Sequence, residues 1–271
     1  MNTETWIPDS TPLDMPSAAR IYDYMLGGYH NFEIDRQVAR KLLEVFPETR
    51  LAAQACRAFL RRVVNFLVEQ GIDQFLDIGS GIPTVGNVHS VAQKTIPTAR
   101  VVYVDIDPIA VAHSVAMLKD NPYATAIQAD ARQPDFILNH PEVKHLLDFS
   151  RPAAVLFITF LHYIVDDDQA LKSVRTFRDA LAPGSYIAIS HGTTDNAPPG
   201  VTEGAEKLSA MTPTPSKYRA RADILKFLDG LELVEPGLVH IPLWHPEGPD
   251  DPFLDRPEEV LNWGGVGRKV K

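Results

Sequence analysis

The sequence lacks the features that mark several large classes of protein. Its 271 residues include one cysteine, Cys56, which excludes a disulfide framework and a thiolate zinc site. No stretch approaches the ~18 consecutive apolar residues that a membrane-spanning helix needs. Residues 1–20 contain neither a basic start nor an apolar run of the kind found in secretory signals. We therefore expect a cytoplasmic protein with no membrane partner.

The chain also has few positive charges for its size. Lysine and arginine number 26 against 35 aspartates and glutamates, which gives a net charge of −9. An acidic protein repels a phosphate backbone unless it carries a local basic patch. The one cationic cluster is formed by Arg268, Lys269 and Lys271 at the C-terminal end. The sequence therefore predicts no nucleic-acid partner, and it leaves the oligomeric state open.

No metal site is predicted either. His240 and His245 have no cysteine or patterned acidic residue beside them. The three aspartates at residues 166–168 are better explained by helix capping and solvated charge, since Asp166 with Gln169 resembles a capping box.

Helical periodicity dominates the first quarter of the chain. Residues 1–16 contain three prolines and predict an irregular arm. Ser17 is a suitable N-cap for the helix that follows the arm. Three helices are predicted, over residues 18–26, 31–46 and 50–70. We therefore expect residues 1–70 to form an arm and a helical cap.

From residue 71 onward, short β-rich segments alternate with helical ones. The predicted strands cover residues 74–78, 100–104, 125–129, 153–160 and 185–190. The predicted helices between them cover residues 84–95, 108–120, 134–148 and 166–181. The second and fourth strands are almost uniformly apolar, which is typical of strands buried on both faces by crossover helices. This alternation predicts a parallel, doubly wound sheet.

The last quarter of the chain departs from this alternation. Helices are predicted over residues 200–211 and 218–228. Residues 231–243 form an extended segment that Pro236-Gly237 interrupts, and residues 263–270 form a final strand. We predict that these two segments pair as an antiparallel edge, which makes seven strands in total.

The segment FLDIGSGIPT, residues 75–84, carries the strongest functional signal. An apolar strand reaches Asp77, and the tight turn Gly79-Ser80-Gly81 leads into a helix. Glycines at such a turn let a ligand approach the backbone, and a helix N-terminus offers free N–H groups. A dinucleotide fingerprint needs a third glycine at position 84, where this chain has Thr84. This difference, together with the acid before the glycines, favours a ligand that carries a cationic amino group.

Two further acidic residues follow the next two predicted strands. Asp105 lies where a doubly wound sheet places an acid against a ribose diol, and Asp130 can accept a hydrogen bond from an exocyclic amine. For each acid alone, helix capping is an alternative explanation. With Asp77 they put three carboxylates at the carboxyl ends of three successive strands, which is the edge where such sheets bind ligands.

In their order along the chain, the segments DIGSG, VDIDP, ADA and FLHYIVDDDQALKSVRTFRDALAPGSYIAIS resemble a class I S-adenosylmethionine-dependent methyltransferase. The segment PSAARIYDYMLGGYHNF, residues 16–32, is similar to the N-terminal signature of a narrower group, the actinobacterial S-adenosyl methyltransferase family, formerly a domain of unknown function. The resemblance implies an α/β, Rossmann-like, doubly wound sheet of seven mostly parallel strands with an N-terminal helical cap. It also implies that residues 71–271 form the methyltransferase domain and pack with the cap, residues 1–70, as one compact unit.

The same resemblance implies S-adenosylmethionine as the cofactor. Asp77 and the glycine turn would hold its methionine moiety, Asp105 the ribose hydroxyls, and Asp130 with the next backbone N–H the adenine edge. The implied cofactor-binding set is Asp77, Gly79, Ser80, Gly81, Asp105, Ile106, Asp130 and Ala131. Four residues of the N-terminal signature would cover the cofactor, namely Arg20, Tyr22, Gly28 and Asn31. Helix caps explain Gly28 and Asn31 almost as well.

Catalytic candidates follow the fourth predicted strand. In related enzymes the position of His162 often faces the methyl acceptor, where a neutral imidazole can accept a proton. Tyr163 would line the same pocket. A structural histidine and a packing tyrosine are the alternatives. The strand ends in FITFL without a carboxylate, which argues against the magnesium site of catechol-type methyltransferases.

These features together predict metal-free, in-line methyl transfer from S-adenosylmethionine to an oxygen or nitrogen of a small molecule. The aromatic residues Tyr22, Phe160 and Tyr163 suit a compact, partly apolar acceptor. Two alternatives stay open. One is a non-catalytic S-adenosylmethionine-binding protein, and the other is a nicotinamide-dependent oxidoreductase, against which the absent third glycine counts.

Overall fold

Three helices precede the first strand of the structure, a computed structural model that describes residues 14–83, 86–195, 197, 200, 203–204, 207, 214–249 and 251–271. They are α1 (Ala18–Met25), α2 (Glu33–Val45) and α3 (Thr49–Glu69). The three helices expected from periodicity are thus confirmed, with bounds that differ by at most two residues. The predicted arm at residues 1–16 lies largely outside the described residues.

A mixed sheet forms the centre of the molecule. Its strands are β1 (Gln74–Ile78), β2 (Arg100–Asp105), β3 (Ala124–Gln128), β4 (Ala154–Ile158), β5 (Tyr186–Gly192), β6 (Glu232–Leu233), β7 (Val239–His240) and β8 (Asn262–Arg268). They lie in the order β3-β2-β1-β4-β5-β8-β6, and β7 also pairs with β8. The first five strands are parallel and β8 runs antiparallel to β5. The predicted doubly wound sheet is confirmed, with β1 between β2 and β4.

In the part of the chain that the structure describes, the sheet has eight strands, so the expected number of seven is wrong. The extended segment predicted at residues 231–243 is divided into the short strands β6 and β7, and both pair antiparallel with β8. Pro236 has no N–H to donate to a ladder, and Gly237 has a φ of +88°, outside the extended region. These two residues therefore break what reads as one strand.

The crossover helices follow the expected alternation with one division. They are α4 (Val88–Ala92), α5 (Pro108–Leu118), α6 (Pro134–Asn139), α7 (Pro141–Leu146) and α8 (Asp167–Ala180). The single helix predicted over residues 134–148 is wrong, because a proline disfavours the helical conformation at the residue before it. His140, with φ −61° and ψ +136°, is extended and separates α6 from α7.

Two predicted helices of the C-terminal half have different outcomes. The prediction over residues 218–228 corresponds to α9 (Arg221–Leu225), which a 3₁₀ turn, Lys226–Leu228, continues. The prediction over residues 200–211 falls mostly outside the described residues.

Most of the core lies in two apolar layers, one on each face of the sheet. Phe75 belongs to the layer that contains Phe59 of α3, whereas its neighbour Leu76 belongs to the layer that contains Phe177 of α8. This division follows from the two-residue period of a strand, which sends successive side chains to opposite faces. All five residues of β1 are buried, which explains why the parallel strands are almost continuously apolar.

The core packing predicts that Phe59→Ala lowers the free energy of unfolding by about 3–5 kcal/mol. The Phe59 side chain is fully buried, and its ring lies edge-on to Trp244 with 5.6 Å between centroids. Phe136→Ala is the matched control, since that side chain is 53% exposed and its loss should cost less than about 0.5 kcal/mol. Urea unfolding followed by circular dichroism measures both. Equal losses in the two variants would contradict this packing.

Candidate functional site

The carboxyl ends of the four strands β3, β2, β1 and β4 border a cavity of about 360 Å³. The turns after these strands form one side of its wall, and α1 and α3 contribute to the other. The predicted site residues that line it are Tyr22, Asp77, Gly79, Ser80, Gly81, Asp105, Ile106, Asp130, Ala131 and Tyr163. The structure therefore brings the three predicted acids together at one edge of the sheet.

Backbone geometry requires glycine at two positions of the turn after β1. Gly79 and Gly81 have φ values of +70° and +66°, a region that other residues rarely adopt. A Cβ on Gly79 would lie 2.0 Å from Cδ2 of Phe160, whereas a Cβ on Gly81 would meet nothing within 4 Å. The turn therefore packs against an aromatic ring at its first glycine and leaves open space beside its second.

Asp105 joins the ends of β1 and β2. Its carboxylate accepts hydrogen bonds from the N–H of Gly81 at 2.7 Å and from the N–H of Asp107 at 2.8 Å. Burial raises the pKa of Asp105 to about 6, although these backbone hydrogen bonds act in the opposite direction. The carboxylate that organises this edge therefore titrates close to neutral pH.

Asp77 is buried near the end of β1. Burial raises its pKa to about 7, while the nearby guanidinium of Arg57 lowers it and the charge of Asp105 raises it. Arg57 belongs to α3 and lines the same cavity. Its guanidinium carbon lies 5.6 Å from the centroid of the Tyr22 ring, which is a cation–π contact. The ionisation of Asp77 therefore responds to any charge that binds beside it.

Asp130 is paired with Arg132 in the turn after β3. Its carboxylate accepts hydrogen bonds from the Arg132 backbone N–H at 2.9 Å, from Nε at 2.8 Å and from Nη2 at 2.6 Å. Burial raises the pKa of Asp130, but the hydrogen bonds from Arg132 outweigh it and hold this pKa below its usual value. The Ala131 carbonyl accepts a hydrogen bond from the Ser173 hydroxyl at 2.7 Å, which fixes the turn against α8.

Arg20 does not line the cavity but connects α1 with residues that do. It is buried, its Nε donates to Asp35 at 2.9 Å, and its Nη1 lies 3.6 Å from the carboxylate of Asp107. The hydroxyl of Ser17, expected to cap α1, instead donates to Asp107. Because Asp107 follows β2, these contacts hold the start of α1 against the sheet edge.

Gly28 and Asn31 also lie outside the cavity lining. Asn31 Nδ2 donates to Asp23 at 2.8 Å, and a Cβ on Gly28 would lie 2.0 Å from the same carboxylate. Both residues thus shape the turn between α1 and α2 around Asp23. The role of this turn in covering the cofactor stays a prediction.

Tyr163 lines the cavity, whereas His162 lies behind it. Both belong to the 3₁₀ turn Leu161–Tyr163 after β4, and their ring centroids are 4.2 Å apart. Burial, followed by the charges of His191 and Arg219, holds the pKa of His162 well below its ordinary value, so the ring is neutral. Its Nδ1 has no hydrogen-bond partner among the described residues. Its assignment as a general base stays a prediction.

A buried arginine behind this turn gives no signal in the sequence. Arg219 donates to the carbonyl of Leu161 at 3.2 Å, to the carbonyl of Ile164 at 2.7 Å and to Nε2 of His191 at 3.0 Å. These bonds fix both ends of the turn that carries Tyr163. The partners are at least 28 residues away in sequence, so no local pattern reveals them.

Arg57, by contrast, could be found from periodicity. Ala53, Cys56, Arg57 and Leu60 share one face of α3, and the last three line the cavity. An arginine in such an apolar stripe is unusual, and it indicates an ion pair or a ligand.

The family of the chain follows from comparison with known proteins. The profile described as S-adenosyl methyltransferase matches residues 4–270. The chain therefore belongs to the S-adenosyl methyltransferase family, whose cofactor is S-adenosylmethionine. This membership confirms the family resemblance and favours methyl transfer over nicotinamide chemistry.

Two solved structures are similar over nearly the whole chain. A candidate methyltransferase from Thermobifida fusca YX is 42% identical, with a TM-score of 0.91, and the match covers 98% of this chain and 100% of that one. A DUF574 family protein from Streptomyces avermitilis MA-4680 is 38% identical, with a TM-score of 0.90, covering 95% and 98%. An O-methyltransferase family protein from Burkholderia thailandensis, 12% identical with a TM-score of 0.54, covers 92% and 64% and shares the fold alone. None of the curated proteins matches this chain.

Two kinds of feature are absent from the described residues. No group of three or more His, Cys, Asp or Glu side chains in them is arranged to hold a metal ion. No helix in the described part of the chain has the length and apolar character needed to cross a membrane.

The raised pKa values of Asp77 and Asp105 predict that affinity for S-adenosylmethionine falls as the pH is lowered. The cationic cofactor binds best beside ionised carboxylates, so each protonated carboxyl must release its proton on binding. Between about pH 7 and about pH 5, this linkage weakens binding by up to about tenfold per pH unit for each proton released. Calorimetric titration at each pH measures the dissociation constant. Asp105→Asn should bind more weakly with a shallower pH dependence, and a pH-independent dissociation constant in the wild type would contradict the shifts.

The geometry of the glycine turn predicts different effects for two matched substitutions. Gly81→Ala should lower the free energy of unfolding by about 1–3 kcal/mol through positive-φ strain alone. Gly79→Ala should cost about 1–3 kcal/mol more, because its Cβ also overpacks Phe160. Urea unfolding measures both, and adding Phe160→Ala should recover the excess only in the Gly79 variant. Identical losses without recovery would show that the ring does not constrain residue 79.

Proposed function

We propose that the protein is an enzyme that transfers the methyl group of S-adenosylmethionine to an oxygen or nitrogen atom of a small molecule. One observation carries this proposal: the cavity is lined by Asp77, Asp105 and Asp130 at successive strand ends and by the rings of Phe160 and Tyr163 beyond β4. The acids suit the polar groups of the cofactor, and the rings suit an acceptor placed next to it.

The residues of the cavity fit S-adenosylmethionine. Its volume of about 360 Å³ lies within the ~300–1,000 Å³ typical of small-molecule sites. The open space beside Gly81 lets a ligand approach the turn after β1. In our proposal Asp105 binds the ribose hydroxyls, Asp130 with the N–H of Ala131 binds the adenine edge, and Asp77 binds the α-ammonium group. Ile106 offers an apolar surface to the adenine ring, since its side chain is 56% exposed beside the cavity.

The remaining wall suits a compact, partly apolar acceptor. Tyr22, Phe160 and Tyr163 supply aromatic surface, and Thr214 and Pro215 close the wall from the segment after β5. The net charge of −9 disfavours nucleic acid as the acceptor. A small molecule with one nucleophilic oxygen or nitrogen therefore suits the cavity best.

Bound S-adenosylmethionine supplies a methyl group that its sulfonium already activates. The protein then has to hold the acceptor atom in line with that group at near-attack distance. Two rigid turns provide this positioning: Phe160 packs against Gly79, and Arg219 fixes the turn that carries Tyr163. If the acceptor must lose a proton, Nδ1 of His162 is the candidate, because it has no hydrogen-bond partner among the described residues.

A second candidate function is cofactor binding without catalysis. The position of His162 outside the cavity lining favours it, because an acceptor that must be deprotonated then has no histidine in direct contact.

A methyl-transfer screen tests the proposal. Purified protein is incubated with methyl-labelled S-adenosylmethionine and phenols, amines and carboxylic acids, and the label in each product is counted. With an acceptor in hand, His162→Ala should lower turnover by roughly 10²–10⁴-fold if it is a general base, while the calorimetric affinity for the cofactor stays unchanged. A loss below tenfold with an unaltered pH profile would make His162 a packing residue. Tight cofactor binding without transfer to any of these acceptor classes would support the non-catalytic alternative.

A further inference from the structure

The two guanidinium groups that line the cavity differ in whether a carboxylate pairs with them. Among the described residues that line it, the carboxylates are Asp77, Asp105, Asp107 and Asp130, and the guanidinium groups are Arg57 and Arg132. Arg132 is held by Asp130 through hydrogen bonds of 2.6 to 2.9 Å. Arg57 forms no ion pair with any carboxylate in the part of the chain that the structure describes.

Arg57 is nevertheless held in a defined place. It projects from α3, its guanidinium lies over the Tyr22 ring, and the Tyr22 hydroxyl is itself fixed by a hydrogen bond of 3.1 Å to the carbonyl of Ala53. Its Nε is buried and has no hydrogen-bond partner among the described residues. A buried donor without an acceptor is costly, so a preorganised guanidinium in a cavity indicates an anionic group of a ligand.

Arg57 and Asp77 line the same cavity. Arg57 lies near enough to Asp77 to lower the pKa of that carboxyl. Asp77 lies at the end of β1, two strands away from the Asp130–Arg132 pair at the end of β3. A buried carboxylate and a guanidinium that line the same cavity are complementary to an ammonium and a carboxylate on one carbon atom.

We propose that Arg57 binds the α-carboxylate of the methionine moiety of S-adenosylmethionine while Asp77 binds its α-ammonium, so that this end of the cavity selects an α-amino acid. This inference rests on the proposed function. A guanidinium presents parallel N–H groups that match a carboxylate, and such charge-assisted bonds are stronger than neutral ones. A ligand with the same adenosine, sulfonium and ammonium groups but no carboxylate would gain nothing from Arg57.

Decarboxylated S-adenosylmethionine is that ligand, and calorimetry with both compounds tests the assignment. The wild type should bind S-adenosylmethionine more tightly than the decarboxylated compound. Arg57→Met should weaken binding of S-adenosylmethionine by about 10- to 100-fold and leave the decarboxylated compound within about threefold of the wild type or tighter. Arg57→Lys, which keeps the charge but not the parallel donors, should give an intermediate loss for S-adenosylmethionine only.

Arg132→Met is the matched control. It removes the same charge from the other end of the cavity, so long-range electrostatic effects cancel when the two variants are compared. It should change both affinities by similar factors. Circular dichroism and thermal melting show whether each variant is folded. If Arg57→Met does not fold, two measurements still test the assignment of Arg57: the preference of the wild type for S-adenosylmethionine over the decarboxylated compound, and the affinities of Arg57→Lys for both.

Two outcomes would overturn the assignment of Arg57. Equal losses of affinity for both compounds in Arg57→Met or Arg57→Lys would show that Arg57 supports the structure of the cavity without binding the α-carboxylate. An unchanged affinity for S-adenosylmethionine would show that it faces another ligand, such as a carboxylate on the acceptor. A wild-type protein that binds neither compound would instead refute the proposed function itself.

Discussion

Two backbone hydrogen bonds to the Asp105 carboxylate determine the shape of the sheet edge. The N–H of Gly81 ties the turn after β1 to the end of β2, and the N–H of Asp107 ties the start of α5 to the same carboxylate. Asp107 in turn caps α5 by accepting the N–H of Ile109 at 2.8 Å, and its carboxylate pairs with Arg20 of α1. The turn after β1, the start of α5 and, through Asp107, the start of α1 therefore all depend on the carboxylate of Asp105.

This arrangement has a cost for the folded state. The pKa values of Asp77 and Asp105 are raised to about 7 and about 6, above the ~4 expected in an unfolded chain. The unfolded chain therefore ionises first, and the folded state loses stability as the pH rises from about 4 through these raised values. A ligand that brings positive charge to the cavity offsets that cost. Buried carboxyls retained at such an expense are characteristic of functional sites.

Much of the fold could be predicted from local patterns. β1 has the predicted bounds, because an apolar run ends in a glycine turn that no helix or continuing strand accommodates. The divisions at Pro141 and Pro236 were harder to predict, since a proline also fits the first turn of a helix or an edge strand. The local sequence at these two prolines is therefore compatible with either a break or a continuous element.

The residues of the site also differ in how far they could be predicted from the sequence. Acids at the ends of parallel strands must meet at one edge of the sheet, so Asp77, Asp105 and Asp130 could be predicted together. Between His162 and Tyr163 no pattern decides which side chain faces the cavity, because the 3₁₀ turn after β4 sets the direction of each. The bonds from Arg219 that fix this turn depend on the complete fold.

Arg219 links the turn after β4 to the segment that follows β5. Its bonds to the turn after β4 hold the far end of the long connection that leaves β5, just beyond Thr214 and Pro215 in the cavity wall. The turn that carries Tyr163 and the wall segment that ends at Arg219 therefore share their anchoring bonds, so a change at Arg219 would loosen both parts of the cavity wall together.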